Sequence, residues 1–176
     1  MSTKKKIVVI GGGFGGLATV QGLKTADAEI TLIDKRNHHL FQPLLYQVAT
    51  AGLAATDIAW PIRSILAKQF NARVVLGNVV DIQLPEKKVI TENKEYEYDH
   101  LVVATGARHS YFGNEHLETF APGLKRIIDA TEIRKRVLMA FECAETASTE
   151  AAQRRHLTFF IVGGGPTGVE LSLIHI

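Results

Sequence analysis

The chain has a single cysteine, Cys143, among its 176 residues. One thiol excludes an internal disulfide, a thiolate zinc site and a CxxC redox pair within this chain, and such a composition suits a reducing compartment. An excess of one charge is also missing: 20 basic against 18 acidic residues leave a net +2. That is too little for the broad basic face that nucleic acid requires, so no nucleic-acid partner is expected. No apolar run approaches the ~18 residues of a spanning helix. Lys4-Lys5-Lys6 before Ile7-Val8-Val9-Ile10 imitates the start of a signal peptide, but three consecutive glycines end the apolar run after four residues, so no export signal is read. What remains is ordinary globular material, 46% hydrophobic and 22% charged, which excludes wholesale disorder. At about 150 residues per domain, the length allows roughly 1.2 domains.

The β-branched run Ile7 to Ile10 suits a buried parallel strand, and the glycine turn after it leads into a helical run, Leu17 to Leu23. Glu29 to Asp34 reads as a second strand, which completes a strand-helix-strand crossover with the two strands parallel and adjacent. Between Asn37 and Gln69 the pattern is helical and loop-like, with Pro43 and Pro61 as punctuation and Ile58, Ile62, Ile65 and Leu66 at helical spacing. Arg73 to Leu76 is expected to join the main sheet. Val79 to Leu84, Lys88 to Thr91 and Glu95 to Tyr98 then form a small antiparallel meander, and Leu101 to Ala104 a further buried strand. Thr131 to Ala147 is the clearest amphipathic helix, with Ile133, Val137, Phe141 and Ala144 as its stripe and Glu132 and Arg136 as an i,i+4 pair. Leu157 to Val162 repeats the opening strand and Gly163 onward repeats the opening turn. The fold class expected is therefore α/β: a Rossmann-like domain with a parallel sheet and a meander, followed by the start of a second Rossmann-like unit.

Gly11-Gly12-Gly13-Phe14-Gly15-Gly16 satisfies GxGxxG at Gly11, Gly13 and Gly16, between a strand and a helix. Gly11 allows the tight turn, Gly13 lets backbone approach a pyrophosphate, and Gly16 lets helix and strand pack closely, with the anion at the helix's positive end. Asp34 lies 23 residues after Gly11, where a carboxylate accepts from ribose hydroxyls. With 15 glycines in 176 residues, chance gives about one such match in ten chains of this length. This chain has two, since Gly163, Gly165 and Gly168 repeat the pattern in Gly163-Gly164-Gly165-Pro166-Thr167-Gly168. Two nucleotide sites imply one tightly held cofactor and one exchangeable one. His38 and His39 invite a metal reading, but adjacent histidines diverge and no further ligand sits at suitable spacing, so packing or loop hydrogen bonds are expected and no metal. Cys143 is expected to be a small core or boundary residue.

Ala104-Thr105-Gly106 alone is an ordinary strand exit. Following a meander and preceding a second fingerprint, however, it resembles the layout of the two-dinucleotide-binding-domain flavoproteins. In those proteins the first fingerprint holds FAD, the second holds NADH or NADPH, and the Ala-Thr-Gly turn approaches the flavin. Disulfide reductases of this architecture place a cysteine pair soon after the second strand, where this chain has Asn37-His38-His39-Leu40-Phe41-Gln42-Pro43-Leu44-Leu45-Tyr46-Gln47-Val48-Ala49. Electrons therefore pass from the flavin directly to an acceptor. That stretch, with Asp34-Lys35-Arg36 before it, resembles the type II NADH:quinone oxidoreductases, the single-subunit, non-pumping respiratory NADH dehydrogenases. The resemblance continues through Tyr111-Phe112-Gly113 and Ala121 to Lys125 as far as Pro166-Thr167-Gly168-Val169-Glu170.

The resemblance implies that Gly11, Gly13, Phe14, Gly15, Gly16, Asp34 and Lys35 bind the FAD diphosphate and adenosine. Val80 meets the adenine through its backbone, while Pro43, Leu44, Gln47, Ala104, Thr105 and Gly106 lie toward the flavin. Gly163, Gly165, Pro166, Thr167 and Gly168 bind NADH. Glu170 is implied as the catalytic carboxylate near nicotinamide and flavin, although a carboxylate in a helix's first turn is also what the dipole favours. It implies NADH and a quinone as partners, contact with a membrane surface through C-terminal segments, a homodimer, and a peripheral place on the cytoplasmic side of a bacterial or archaeal inner membrane. The domain boundaries expected are 1–112 for FAD, 113–156 as connector, 157–170 as the start of the NADH domain and 171–176 as a non-native tail on an inactive fragment. The alternatives are a reductase of ferredoxin or rubredoxin, a sulfide:quinone oxidoreductase, or a non-catalytic nucleotide-binding module.

Overall fold

The computed structural model describes residues 4–173; the last part of the expected tail, residues 174–176, lies outside them. In chain order the first elements are β1 (Lys5–Ile10), α1 (Phe14–Gly22), β2 (Ala28–Asp34), β3 (His38–Leu40), α2 (Leu45–Ala49), β4 (Ala59–Pro61) and α3 (Ile62–Ile65). They are followed by β5 (Ala72–Leu76), β6 (Val79–Gln83), β7 (Lys88–Thr91), β8 (Glu95–Glu97) and β9 (His100–Val103). Three helices come last: α4 (Ile127–Glu145), α5 (Glu150–His156) and α6 (Pro166–Leu173). The chain divides into two compact units, one of Met1–Leu40 with Ala59–Ala107, the other of Phe41–Ile58 with Arg108–Ile176.

The first unit is built on a parallel sheet of order β5-β2-β1-β9. Its strands are apolar on both faces because both faces are covered. Val9, Ile30 and Leu32 pack with Leu17 and Val20 of α1 and with Ile62 and Leu66, while Val8, Ile10 and Ile33 pack with Val89 and Tyr96 of the β6-β7-β8 meander. Each such fully buried aliphatic side chain contributes about 1.5–3 kcal/mol. Gln69 and Asn71, just before β5, finish α1: Gln69 Nε2 donates to the Val20 carbonyl at 2.7 Å, and Asn71 Nδ2 to those of Leu23 and Ala26 at 3.0 and 3.1 Å. Each of these carbonyls also accepts a backbone amide, so the two side chains add second partners at the end of the helix.

The segment after β2 departs from the helical expectation. Ala59–Pro61 is a strand antiparallel to β3, so Ile58 and Ile62 do not share a helix. Three-residue strands are too short to display an alternation, and Pro61 at an edge ends β4 before α3.

In the second unit α4 starts at Ile127, earlier than its apolar stripe. Asp129 accepts from the Arg126 amide at 2.9 Å and from the guanidinium at 2.6 Å, closing the helix's first turn. Glu132 and Arg136 pair at 2.9 Å. Cys143 is exposed rather than in a core or boundary position, since at ~100° per residue it sits well off the Val137–Ala144 line. Leu157 to Val162 is not a strand, and Phe160 is 89% and Val162 81% exposed. β-rich composition needs a neighbouring edge to accept its N–H and C=O groups, and none pairs with this run among the described residues. No helix among the described residues is long and apolar enough to cross a membrane.

Candidate functional site

The glycine turn after β1 sits at the carboxyl edge of the parallel sheet, as ligand sites of open α/β sheets do. Gly11 has φ +103°, a conformation that glycine alone adopts cheaply, and its amide donates to the Ile33 carbonyl at 2.8 Å. A Cβ at Gly11 would collide with the Ala104 carbonyl oxygen, and one at Gly16 with the Gly11 carbonyl oxygen. Close packing thus accounts for the first and third glycines. Gly13 differs, because a Cβ there would meet nothing within 4 Å. Gly13 is also the N-cap of α1, and that helix start has no side-chain cap and no acidic residue in its first turn. A helix start with no side-chain cap and with open space at Gly13 fits an anion.

Asp34, at the end of β2, is 9% exposed. One of its oxygens accepts from the Gly12 amide at 2.5 Å and the other from the Arg36 amide at 2.6 Å. The residue expected to meet a ribose therefore also closes the glycine turn from beneath; a carboxylate's four lone-pair positions leave room for both. Lys35 is exposed beside it. His39, inward on β3, places Nδ1 3.1 Å from the Gly12 carbonyl oxygen, and the Phe14 ring stands edge-on to the imidazole at 5.0 Å. His38 is half-buried with Nδ1 3.3 Å from Asn37 Oδ1. Burial and then Arg36 push its pKa below the ordinary value, with Asp34 opposing. Among the described residues no group of three or more His, Cys, Asp or Glu could hold a metal ion.

Ala104 continues β9 into this cluster, its amide donating to the Ile10 carbonyl at 2.8 Å. Gly106 has φ +72°, so the Ala104-Thr105-Gly106 exit turns beside Gly11 and Gly16. Val80 lies where the β6-β7 register shifts between Val79 and Asp81; such a bulge leaves its backbone outside the regular ladder. The structure brings together Gly11, Gly13, Phe14, Gly15, Gly16, Asp34, Ala104 and Thr105. Sequence reasoning expected packing or loop hydrogen bonds of His39 but not its contact with this turn, which a three-residue strand gives no periodic signal to find.

The remaining predicted residues lie on the second unit. Pro43 and Leu44 form a 3₁₀ turn leading into α2, where Gln47 donates through Nε2 to the Tyr46 hydroxyl at 3.1 Å. The second glycine turn repeats the first in its backbone, although no strand directly precedes it among the described residues and a Cβ at Gly163 would meet nothing within 4 Å. Gly163 has φ +105°, a Cβ at Gly168 would collide with the Gly163 carbonyl oxygen, and a Cβ at Gly165 would meet nothing within 4 Å. The Val169 amide donates to the Gly165 carbonyl at 3.1 Å, as Leu17 does to Gly13 at 3.0 Å. Pro166 opens α6, which carries Thr167 and an exposed Glu170.

The chain is 50% identical over 173 residues to the type II NADH:quinone oxidoreductase Ndh of Mycobacterium tuberculosis, a match covering 96% of this chain and 37% of that protein. It superposes on NDH2 from Plasmodium falciparum, solved in complex with NADH, with a TM-score of 0.82 at 27% identity, covering 96% of this chain and 36% of that one. It also superposes on the sulfide:quinone oxidoreductase of Aquifex aeolicus, with a TM-score of 0.72 at 33% identity over 78% of this chain and 32% of that one. The chain thus spans little more than a third of the length of such relatives. With residues 5–175 matching its model, the chain belongs to the pyridine nucleotide-disulphide oxidoreductase family.

Proposed function

We propose that the whole protein carrying these residues is an NADH:quinone oxidoreductase in which NADH, a proton and a quinone give NAD⁺ and quinol. The chemistry supplied by bound FAD is acceptance of hydride from NADH and release of two electrons to a membrane quinone. The observation that carries the reading is the pair of matching glycine turns, each with a positive φ at its first glycine and open space at its second.

In this reading the amides of Gly13 to Gly16 hold the FAD diphosphate at the start of α1, with Phe14 beside them. Asp34 keeps that turn closed and accepts from the ribose, and Lys35 flanks it. The bulged backbone at Val80 meets the adenine. Ala104, Thr105 and Gly106 border the flavin, and the family resemblance alone assigns Pro43, Leu44 and Gln47 to it. Gly163, Gly165, Pro166, Thr167 and Gly168 bind the NADH diphosphate, and Glu170 orients the nicotinamide or carries the proton that the quinol needs. The single cysteine, exposed on α4, favours direct transfer to quinone over a thiol relay. Residues 1–112 contribute to the FAD domain, 113–156 connect, and 157–170 begin the NADH domain. The whole protein is a peripheral homodimer on the cytoplasmic face of the membrane. Steady-state NADH oxidation with a soluble quinone, compared with ferredoxin and rubredoxin as acceptors, tests the proposal: quinone supports turnover and the iron-sulfur acceptors do not. The reverse ranking refutes it.

A further inference from the structure

We propose that His39 is a positioning residue that aims the diphosphate-binding amide of Gly13 by holding the carbonyl of Gly12. The inference rests on the flavin reading above and assigns a residue that reading does not use. Five of the six residues from Gly11 to Gly16 are glycine, so the turn has far more backbone freedom than a run of residues with side chains. An anion site made of amides works only if those amides already point at the anion.

Gly12 is held from two sides. Its amide donates to Asp34 Oδ2 at 2.5 Å, and its carbonyl oxygen lies 3.1 Å from His39 Nδ1. A carbonyl can only accept, so the proton of this bond sits on Nδ1. In a trans peptide the C=O and the following N–H point in opposite directions, and no cis peptide is present among the described residues. With the Gly12 oxygen drawn toward His39, the Gly13 N–H points the other way. Gly13 is also the position where an added Cβ would meet nothing within 4 Å.

His39 is itself rigidly held. It is 7% exposed, it stands opposite Trp60 in the β3-β4 pair, and the Phe14 ring meets it edge-on at an interplanar angle of 86°. Phe14 follows Gly13 directly, so the imidazole braces the turn through its nitrogen and through its ring. His38, on the other face of the strand, has only Asn37 beside its Nδ1.

The test uses the whole protein stripped of flavin and titrated with FAD, comparing wild type with His39→Leu and His39→Asn. Asparagine keeps an N–H at the position of Nδ1; leucine keeps apolar bulk alone. His39→Leu is expected to weaken FAD binding about tenfold, equivalent to ~1.4 kcal/mol, and His39→Asn to recover most of that loss. In the ¹⁵N spectrum the Gly13 amide of wild type and His39→Asn should move on FAD addition in the same direction. Equal FAD affinity in wild type and a folded His39→Leu overturns the inference, as do equal losses in both variants. If His39→Leu fails to fold, His39→Asn decides: affinity within about threefold of wild type supports the role, and a tenfold loss in folded protein overturns it. A wild-type protein that binds no FAD removes the flavin reading itself, and this inference with it.

Discussion

Alanine at three glycines of the same helix separates packing from ligand binding. At Gly16 a methyl gains about 1 kcal/mol in helix propensity but collides with the Gly11 carbonyl oxygen and comes within 3.0 Å of its carbon. Those are backbone atoms tied to β2 through the Gly11–Ile33 hydrogen bond, so they cannot yield as a flexible side chain would. Overpacking of this kind costs typically 1–3 kcal/mol, and the net expected for Gly16→Ala is a loss of up to about 2 kcal/mol after the propensity gain. At Gly22, the end of α1, a Cβ meets nothing within 4 Å, so Gly22→Ala isolates the propensity term and should stabilise by up to about 1 kcal/mol. Gly13 is equally open, and its φ of −75° suits alanine. A small gain through the unfolded state and a small loss at the N-cap leave Gly13→Ala within about 1 kcal/mol of wild type. Its methyl nevertheless occupies the space assigned to a phosphate, so FAD affinity should fall at least roughly tenfold. Urea unfolding of the apoprotein and FAD titration of the whole protein measure the two effects. A Gly13→Ala protein that binds FAD like wild type, or a Gly16→Ala protein as stable as Gly22→Ala, refutes the reasoning.

Asp34→Asn leaves one oxygen for two backbone amides, those of Gly12 and Arg36. The abandoned buried donor costs about 1–3 kcal/mol, seen as a lower urea midpoint together with weaker FAD binding. Burial opposes ionisation of Asp129, but the Arg126 guanidinium and the amides of Lys125 and Arg126 outweigh it and hold its carboxyl below the ordinary value of 3.8. A depressed carboxylate stabilises the fold fully above its unfolded value, and that stability is lost as pH falls through the folded one. Acid titration of α4 by circular dichroism should therefore show a loss below pH ~4 that is absent in Asp129→Ala, whose stability is lower at neutral pH; identical acid limbs would contradict this.

Much of the first unit was legible in the sequence because its signals are local and redundant. β1 carries the apolar run Ile7 to Ile10 and β2 is rich in aliphatic residues, the turn between β1 and α1 has a conformation that glycine alone adopts cheaply, and Gly77-Asn78, Pro85-Glu86 and Glu92-Asn93 punctuate the meander. The β3-β4 pair was not legible, since three residues do not establish a period. The start of α4 was hidden because Asp129 closes it by reaching back to Arg126 rather than by a residue at the N-cap position. Leu157 to Val162 has the composition of a strand, but a strand is a property of two edges and its own residues supply one. In the site, the glycines and Asp34 followed from spacing. The grip of His39 on Gly12 spans 27 residues and depends on the β3-β4 pairing, which no local pattern announces.

The most direct test of the account is anaerobic mixing of the purified whole protein with NADH while its visible absorption is followed. The account predicts a yellow protein whose flavin bands bleach on NADH addition and return when a soluble quinone is added. A colourless protein, or flavin bands that NADH leaves untouched, would contradict it.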